Sequence, residues 1–309
     1  MSRASRRADG TDPLPRSEGR NRGKGFGLLL LALGLCSGLA LAQTPAITYV
    51  SAETLPIDSL TRQRQYATSV GAGFGNVLDT YLSPYSYTGI NIRVHHEYTR
   101  WTRRFMQGDT ARVSYHTYIA LDGNILDNPA GNINEYSGAL RYSMAWKYHF
   151  PALFLGKLHL SAGPMATFYA GGLYNEHDGN NPAQGRASLT IDATATAAMP
   201  LHLMQRPCLL SLSADVPLVG IAFSPNYGQS YYEIFSLGNY DHNVVFAHIG
   251  NMPSLRAQLL LHIPLNARAT TSLRVGYVTE ILQSTFNNLR YHSYSHTLMI
   301  GISKTLYRL

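Results

Sequence analysis

Residues 88–101, TGINIRVHHEYTRW, decide the fold. From Ile90 the even positions read Ile90, Ile92, Val94, His96 and Tyr98, and the odd positions read Asn91, Arg93, His95, Glu97 and Thr99. One face is aliphatic and ends in an aromatic, while the other is polar and charged. A two-residue period of this kind presents two distinct faces only in a β-strand. Wound as a helix, the same residues would scatter charge all round and leave no side to bury.

The pattern recurs along the chain. A first strand begins at Tyr66, where Ser69, Gly71, Gly73 and Gly75 alternate with Val70, Ala72 and Phe74. After a turn at 79–87 and the stretch above, strands are expected at 111–121, 134–148, 157–169, 187–197, 208–216, 255–263, 271–280 and 293–306. That makes ten. Residues 231–235 and 244–248 could add a hairpin and raise the count to twelve. The last strand is expected to need a bulge near Lys304 to bring its aromatic end into phase with Leu298, Ile300 and Ile302.

Linker lengths supply a second signal. Those after strands two, four, six and eight are short. Those after three, five and seven are long and rich in Asn, Gly and Asp, as in 122–132 (DGNILDNPAGN) and 171–185 (GGLYNEHDGNNPAQG), and the longest lies at 218–252. Short turns at one end, long loops at the other and an even strand count describe a transmembrane β-barrel. The fold class expected is all-β, a closed antiparallel transmembrane β-barrel of ten strands at 66–309. A sheet with free edges cannot span hydrocarbon, because each unpaired backbone group there costs several kcal/mol.

Composition agrees. Only 14% of residues are charged, too few for an ordinary soluble surface, and the 21 tyrosines all follow residue 42, many near expected strand ends. A secreted sandwich would also alternate, but it would carry charge on its exposed face and pure aliphatics on its buried one. Here the polar faces are rich in Ser, Thr, Gly and single charges, which suits a packed wet interior.

The N-terminus reads as a secretory signal peptide over 1–42: seven basic residues, an apolar run from Phe26 to Leu35 and the small-residue end Ala40-Leu41-Ala42. A periplasmic tail is expected at 43–65. Cleavage would leave 267 of the 309 residues. The leader holds 7 of the 25 basic and 3 of the 18 acidic residues, so the remaining 18 and 15 bring the net charge from +7 to +3. The basic pI therefore belongs mainly to the leader, and no nucleic-acid partner is expected. Cys208 would be left alone, which excludes a disulfide framework.

Three segments carry a resemblance: GFGNVLDTYLSPYSYTGI (73–90), SPNYGQSYYEIFSLGNYDHN (224–243) and LRVGYVTEILQSTFNNLRYHSY (273–294). They resemble an uncharacterised, domain-of-unknown-function family of outer-membrane β-barrels from Gram-negative bacteria. The resemblance covers the chain from about Tyr66 onward and implies an outer-membrane location. It brings no assigned active site with it.

Two constellations could carry function. The inward set is Arg93, His95, Glu97, Arg112, His116, Glu135, Arg141, Lys147, Asp192, Asp215, Arg256, His262, Arg274 and Glu280. In a narrow barrel these must pair, so an ion-pair network plugging or lining the lumen is expected, with a solute filter as the functional variant. The long outer segment offers Tyr227, Tyr231, Tyr232, Glu233, Tyr240, Asp241 and His242, aromatic enough to cap the barrel or stack on a glycan.

Glu233, Asp241, His242 and His248 lack the spacing of a metal site, and no metal or other cofactor is expected. Two serine–histidine clusters, His248/Asn251/Ser254 and His292/Ser293/Ser295/His296, keep an outer-membrane lipid hydrolase (a phospholipase or lipid A deacylase) as the alternative. The reading preferred is a non-enzymatic envelope protein, either a narrow channel or a surface-binding module. Its expected partners are outer-membrane lipids and lipopolysaccharide, the barrel-assembly machinery during biogenesis, and an unidentified small molecule or glycan. Both termini would lie in the periplasm.

Overall fold

The computed structural model describes residues 63–102, 112–154, 157–176, 179, 181–203, 206–266 and 268–307. The expected signal peptide lies outside the described residues, as does the expected tail as far as residue 62. Eleven strands and one short helix follow in chain order: β1 (Gln63–Asp79), β2 (Tyr87–Thr102), β3 (Val113–Asp127), β4 (Asn134–His149), β5 (His159–Asn175), β6 (Ala183–Leu203), β7 (Arg206–Phe223), α1 (Tyr231–Phe235), β8 (Val244–His248), β9 (Leu255–Pro264), β10 (Thr271–Phe286) and β11 (Leu289–Tyr307).

All pairings are antiparallel. Strands β1 to β7 pair in sequence, β7 pairs with β9, and β9, β10 and β11 continue the ring until β11 meets β1. Ten strands therefore close a barrel. The eleventh, β8, lies outside the ring on the upper end of β7, where Val219 faces His248 and Phe223 faces Val244. We call the end where β1 starts and β11 finishes the terminal end, and the opposite one the loop end. A 16-residue strand tilted by about 40° spans roughly 40 Å, more than the roughly 25 Å apolar band of such barrels.

The polarity of the wall is inverted relative to a soluble protein. On β2, Ile92 and Val94 are 54% and 41% exposed, whereas Arg93 and His95 are each 1% exposed. The same holds round the ring, with Val70, Leu121, Ile191, Leu259 and Ile300 outside and Ser69, Ser143, Thr194, Arg274 and Thr297 inside. Water drives aliphatic side chains inward, so a ring of buried charge and exposed aliphatics is stable only where hydrocarbon surrounds it. Aromatics bracket this belt on the outer wall. Tyr66, Tyr98, Tyr115 and Trp146 lie toward the terminal end, and Phe74, Tyr136, Tyr174 and Phe246 toward the loop end.

Several local features depart from expectation. The stretch at 231–235 is helical, not a strand, because Ser230 and Glu233 form a capping box: the Ser230 hydroxyl accepts from Glu233 N, and the Glu233 carboxylate accepts from Ser230 N at 2.7 Å. Only 244–248 is a strand, so no twelve-stranded ring forms. Strand β7 runs six residues into the expected long loop. A register shift opposite Ile191/Asp192 leaves both Leu218 and Val219 outward and turns Ala222 in.

No bulge interrupts β11. Its pairing with β1 is continuous from Tyr291 to Tyr307, so Leu306 is already in phase with Leu298, Ile300 and Ile302. Strands β10 and β11 are longer than expected and meet in a two-residue hairpin. Its Asn287 and Asn288 both take left-handed φ, 49° and 63°, which Asn tolerates and the twist of a hairpin favours. At the loop end the inward stripe turns apolar, and Val77, Tyr87, Leu126, Leu173 and Tyr291 form a cluster packed by Leu82, Ile133 and Leu282.

Candidate functional site: the charged lumen

Inward charge on the middle of the strands is tied across the lumen. Arg93 on β2 donates from Nε to Asp122 Oδ1 on β3 at 2.5 Å, and from Nη2 to Glu280 Oε2 on β10 at 2.5 Å. A longer contact of 3.3 Å reaches Ser295 on β11. The second oxygen of Glu280 accepts from Arg141 on β4. Glu280 thus joins β10 to β2 and β4, which stand three and five places round the ring.

Toward the terminal end a second group repeats the device. Glu97 on β2 accepts from Arg274 on β10 at 2.7 Å and from Gln258 on β9 at 2.8 Å, with His95 Nε2 at 3.7 Å. Arg256 on β9 donates to Asp215, its register partner on β7, and lies 3.9 Å from the centre of the Tyr118 ring. The other oxygen of Asp215 accepts from Thr194 at 2.5 Å. Isolated charges could not be kept here, because removing them from water costs several kcal/mol each unless a partner and further hydrogen bonds satisfy them.

The expected inward residues do not all enter this network. Asp192 is held by hydroxyls, from Thr167 at 2.6 Å and Thr190 at 2.5 Å. Glu135 is fully buried near the loop end and accepts from Asn175 at 3.3 Å. His116 bonds Thr99 at 3.2 Å, Lys147 donates to Thr196 at 2.9 Å, and Nε2 of His262 lies 3.0 Å from the Ser211 hydroxyl. Arg112 is half-buried one residue before β3, and its carbonyl accepts from His149 N at 2.7 Å.

Sequence reasoning missed three participants. Asp122 was placed in a loop, yet the even phase of Ser114, His116, Tyr118 and Ala120 continues to it and carries it inside. Arg186 pairs with Asp79 at 2.6 and 2.9 Å and lies 3.8 Å over the Tyr291 ring, joining the tops of β6 and β1. That pair is not legible in the sequence, because Asp79 opens the expected turn at 79–87 and Arg186 falls between the expected loop at 171–185 and the strand at 187–197.

The outer-segment candidates separate into two groups. Tyr231 turns inward: its hydroxyl donates to Gln184 and accepts from Gly185 N at 2.6 Å, and burial pushes this phenol up. Glu233 is spent on the capping box. Tyr227, Tyr232 and Tyr240 are exposed, and Asp241 and His242 form an exposed pair at 2.5 Å. The segment is tied to the rim. Tyr81 donates to Gln229 O at 2.9 Å, and the Asn287 amide reaches Ser224 O and His242 O at 3.1 and 3.0 Å. Ala222, Ala247 and Phe286 pack with Val245 and Met252 beside it. Between this apolar layer and the ion pairs is a cavity of about 70 Å³, walled by Arg141, Asp192, Arg256, Met252, Phe286 and Tyr291 among others.

Neither expected serine–histidine cluster assembles. Ser254 hydrogen-bonds the Gln283 backbone, and His248 Nδ1 accepts from Gly250 N at 3.0 Å. Along β11, His292 and His296 point out while Ser293 and Ser295 point in. Serine–histidine contacts do occur at the terminal end of the lumen, at Ser114–His149 (2.8 Å) and Ser211–His262. No group of three or more metal-ligating side chains occurs among the described residues.

A family model described as "Protein of unknown function (DUF3316)" matches residues 28–309. The chain belongs to the DUF3316 family. No curated protein matches this DUF3316 chain. Among solved structures it is similar to the outer membrane protease OmpT of Escherichia coli at 8% identity and a TM-score of 0.45, covering 83% of this chain and 100% of that one. Ail, the attachment invasion locus protein of Yersinia pestis, gives 7% identity and a TM-score of 0.30, covering 78% and 98%. Neisserial surface protein A gives 11% and 0.28, covering 78% and 96%. Identities and scores this low bring none of those proteins' activities to the DUF3316 chain, whose barrel rests on its own ring of pairings and inverted polarity.

Proposed function

We propose that this protein is a non-enzymatic outer-membrane barrel whose lumen is stoppered by its own side chains and whose loop end serves as a surface-binding module. One observation carries the reading. Arg93, Arg141 and Glu280, and below them Glu97 and Arg274, join walls on different sides of the ring. An open water-filled channel needs its charges on the wall and the centre clear, whereas here the centre is where they meet.

In this reading residues 1–42 are removed on export, the barrel-assembly machinery inserts the strands, and both termini face the periplasm. The loop end then faces outward and presents Tyr227, Tyr232 and Tyr240. These aromatics give a flat, sequence-tolerant surface for a glycan.

Planar-bilayer recording of the purified protein tests the stopper. The wild type is expected to be silent, and a variant in which Arg93, Arg141 and Glu280 are all replaced by Ser is expected to conduct. Steady wild-type conductance would favour the narrow channel. Binding to a glycan array, lost in the Tyr227→Ala/Tyr232→Ala/Tyr240→Ala variant, tests the surface module separately.

A further inference from the structure

The outer wall changes character abruptly on β11. Its outward residues read Arg290, His292, Tyr294 and His296 on the loop side, then Leu298, Ile300 and Ile302. The neighbouring strands change at nearly the same height: Phe74 gives way to Asn76 on β1, and Ile90 to Thr88 on β2. Asn76 stands opposite both Tyr294 and Thr88 in the ladders, so the polar residues form one lateral patch. A groove of about 670 Å³ runs across it, lined by Phe74, Asn76, Ser86, Thr88 and the three rings of His292, Tyr294 and His296.

Polar side chains on the membrane face are costly against acyl chains, so such a patch marks the height where headgroups begin. Two donors of the patch are aimed at the groove. His292 Nε2 donates to Asn76 Oδ1 at 2.7 Å, which leaves the Asn76 amide N–H groups to donate. The Tyr294 hydroxyl accepts from Gln283 Nε2 at 2.6 Å and keeps its own proton to give. His296 Nδ1 lies 2.5 Å from the Tyr277 hydroxyl and 3.1 Å from that of Thr279, which holds its ring in place. His292 and Tyr294 stack with centroids 4.4 Å apart and planes at 6°, and exposed Phe74 supplies an apolar edge.

The geometry points to a binding site for the headgroup of a phosphorylated glycolipid in the leaflet at the loop end. The Asn76 amide and Tyr294 hydroxyl protons call for a ligand that brings acceptors, the hydroxyls of Ser86 and Thr88 suit one that also carries hydroxyls, and flat rings beside them suit a sugar face. Arg290, one outward position beyond His292, stands where a phosphate on that sugar would be reached. A bare phosphate headgroup fits less well, because among the described residues no lysine or arginine lines the groove itself. This inference rests on the loop end facing the glycolipid leaflet, as in the proposed function, but not on the stopper.

The test is native mass spectrometry of the full chain in nanodiscs containing hexa-acylated lipid A, phosphatidylethanolamine and phosphatidylglycerol. The wild type should retain lipid A selectively. The His292→Ala/Tyr294→Ala variant should lose about tenfold of that retention with both phospholipids unchanged, while Tyr174→Ala, at the same rim but outside the patch, should keep it. Unchanged lipid A retention in the double variant would overturn the site, as would an equal loss for Tyr174→Ala. A parallel loss of phosphatidylglycerol would overturn the glycolipid assignment. Heat-modifiable migration of each variant shows that its barrel has formed. Protease access to residues 224–254 on intact cells reads the orientation independently, so a reversed barrel is distinguished from a failed site.

Discussion

The middle of the lumen and its loop end solve the same burial problem in opposite ways. Both are built from inward positions of the same strands, yet the middle is filled by Arg93, Glu97, Arg141, Arg274 and Glu280, and the top by Val77, Leu126, Leu173 and Tyr291. The apolar cluster tolerates the loss of any one member at the price of a cavity. The charged layer does not, because removing one ion leaves its partners buried and uncompensated. The middle is therefore rigid and specific, and the top is a packed seal.

The sharpest way to break this contrast is Glu280→Ala. It takes the carboxylate from Arg141 and leaves Arg93 with Asp122 alone, and it should lower unfolding stability by about 3–5 kcal/mol, read by urea denaturation in lipid vesicles. Replacing Arg93, Arg141 and Glu280 by Met and Asp122 by Asn together should recover most of that loss. If the single variant is as stable as the wild type, the layer is not the coupled unit described here. Next in size is Leu126→Ala in the fully buried apolar cluster, expected to cost about 2–4 kcal/mol by the same measurement. A loss larger than that of Glu280→Ala would reverse the ranking of the two regions.

Smaller effects should be confined to the rim. Ser230→Ala removes the cap of α1 and should cost about 1 kcal/mol locally, seen as faster proteolysis of residues 224–243 with global unfolding unchanged. The last is a pH effect at Tyr231. Its phenol is raised above the ordinary value of 10.0 by burial, so the folded state holds its proton where the unfolded chain releases it. Docking is then at full strength below about pH 10 and weakens as pH rises through the raised value. Difference absorbance between the wild type and Tyr231→Phe should show one phenol ionising above the others, and a difference at the ordinary value would refute the docking.

Legibility followed the strength of alternation. Strands β2, β4 and β11 are legible because polar or charged residues alternate with apolar ones over many positions, and the ten-strand ring, its closure and its inverted polarity follow from them. Strand ends were harder. At Val77, Leu126 and Leu173 the inward stripe turns apolar, so the period-two signal fades where the strand continues, and Asp79, Asp122 and Arg186 fall outside the expected strands. The Leu218 bulge reverses the phase of β7, which hid its last turn. The capping box at Ser230 was readable as Ser-Tyr-Tyr-Glu, but five aromatic-rich residues look equally like a short strand until the cap is noticed.

Which inward residues would touch was not legible at all. Period assigns a face, not a partner, and Glu280 meets Arg93 and Arg141 only because shear brings β10, β2 and β4 to one height. The polar patch on the outer wall was hidden for a related reason, since Asn76, Thr88 and His292 are far apart in sequence and share only a ladder register.

The seam between β1 and β11 has a consequence for biogenesis. Strand β1 keeps one edge unpaired until β11 zips onto it, residue for residue, from Gln63 against Tyr307 to Asp79 against Tyr291. Any fragment of the barrel that lacks β11 is thus an open ribbon with an unpaired edge, prone to stick to its neighbours in water.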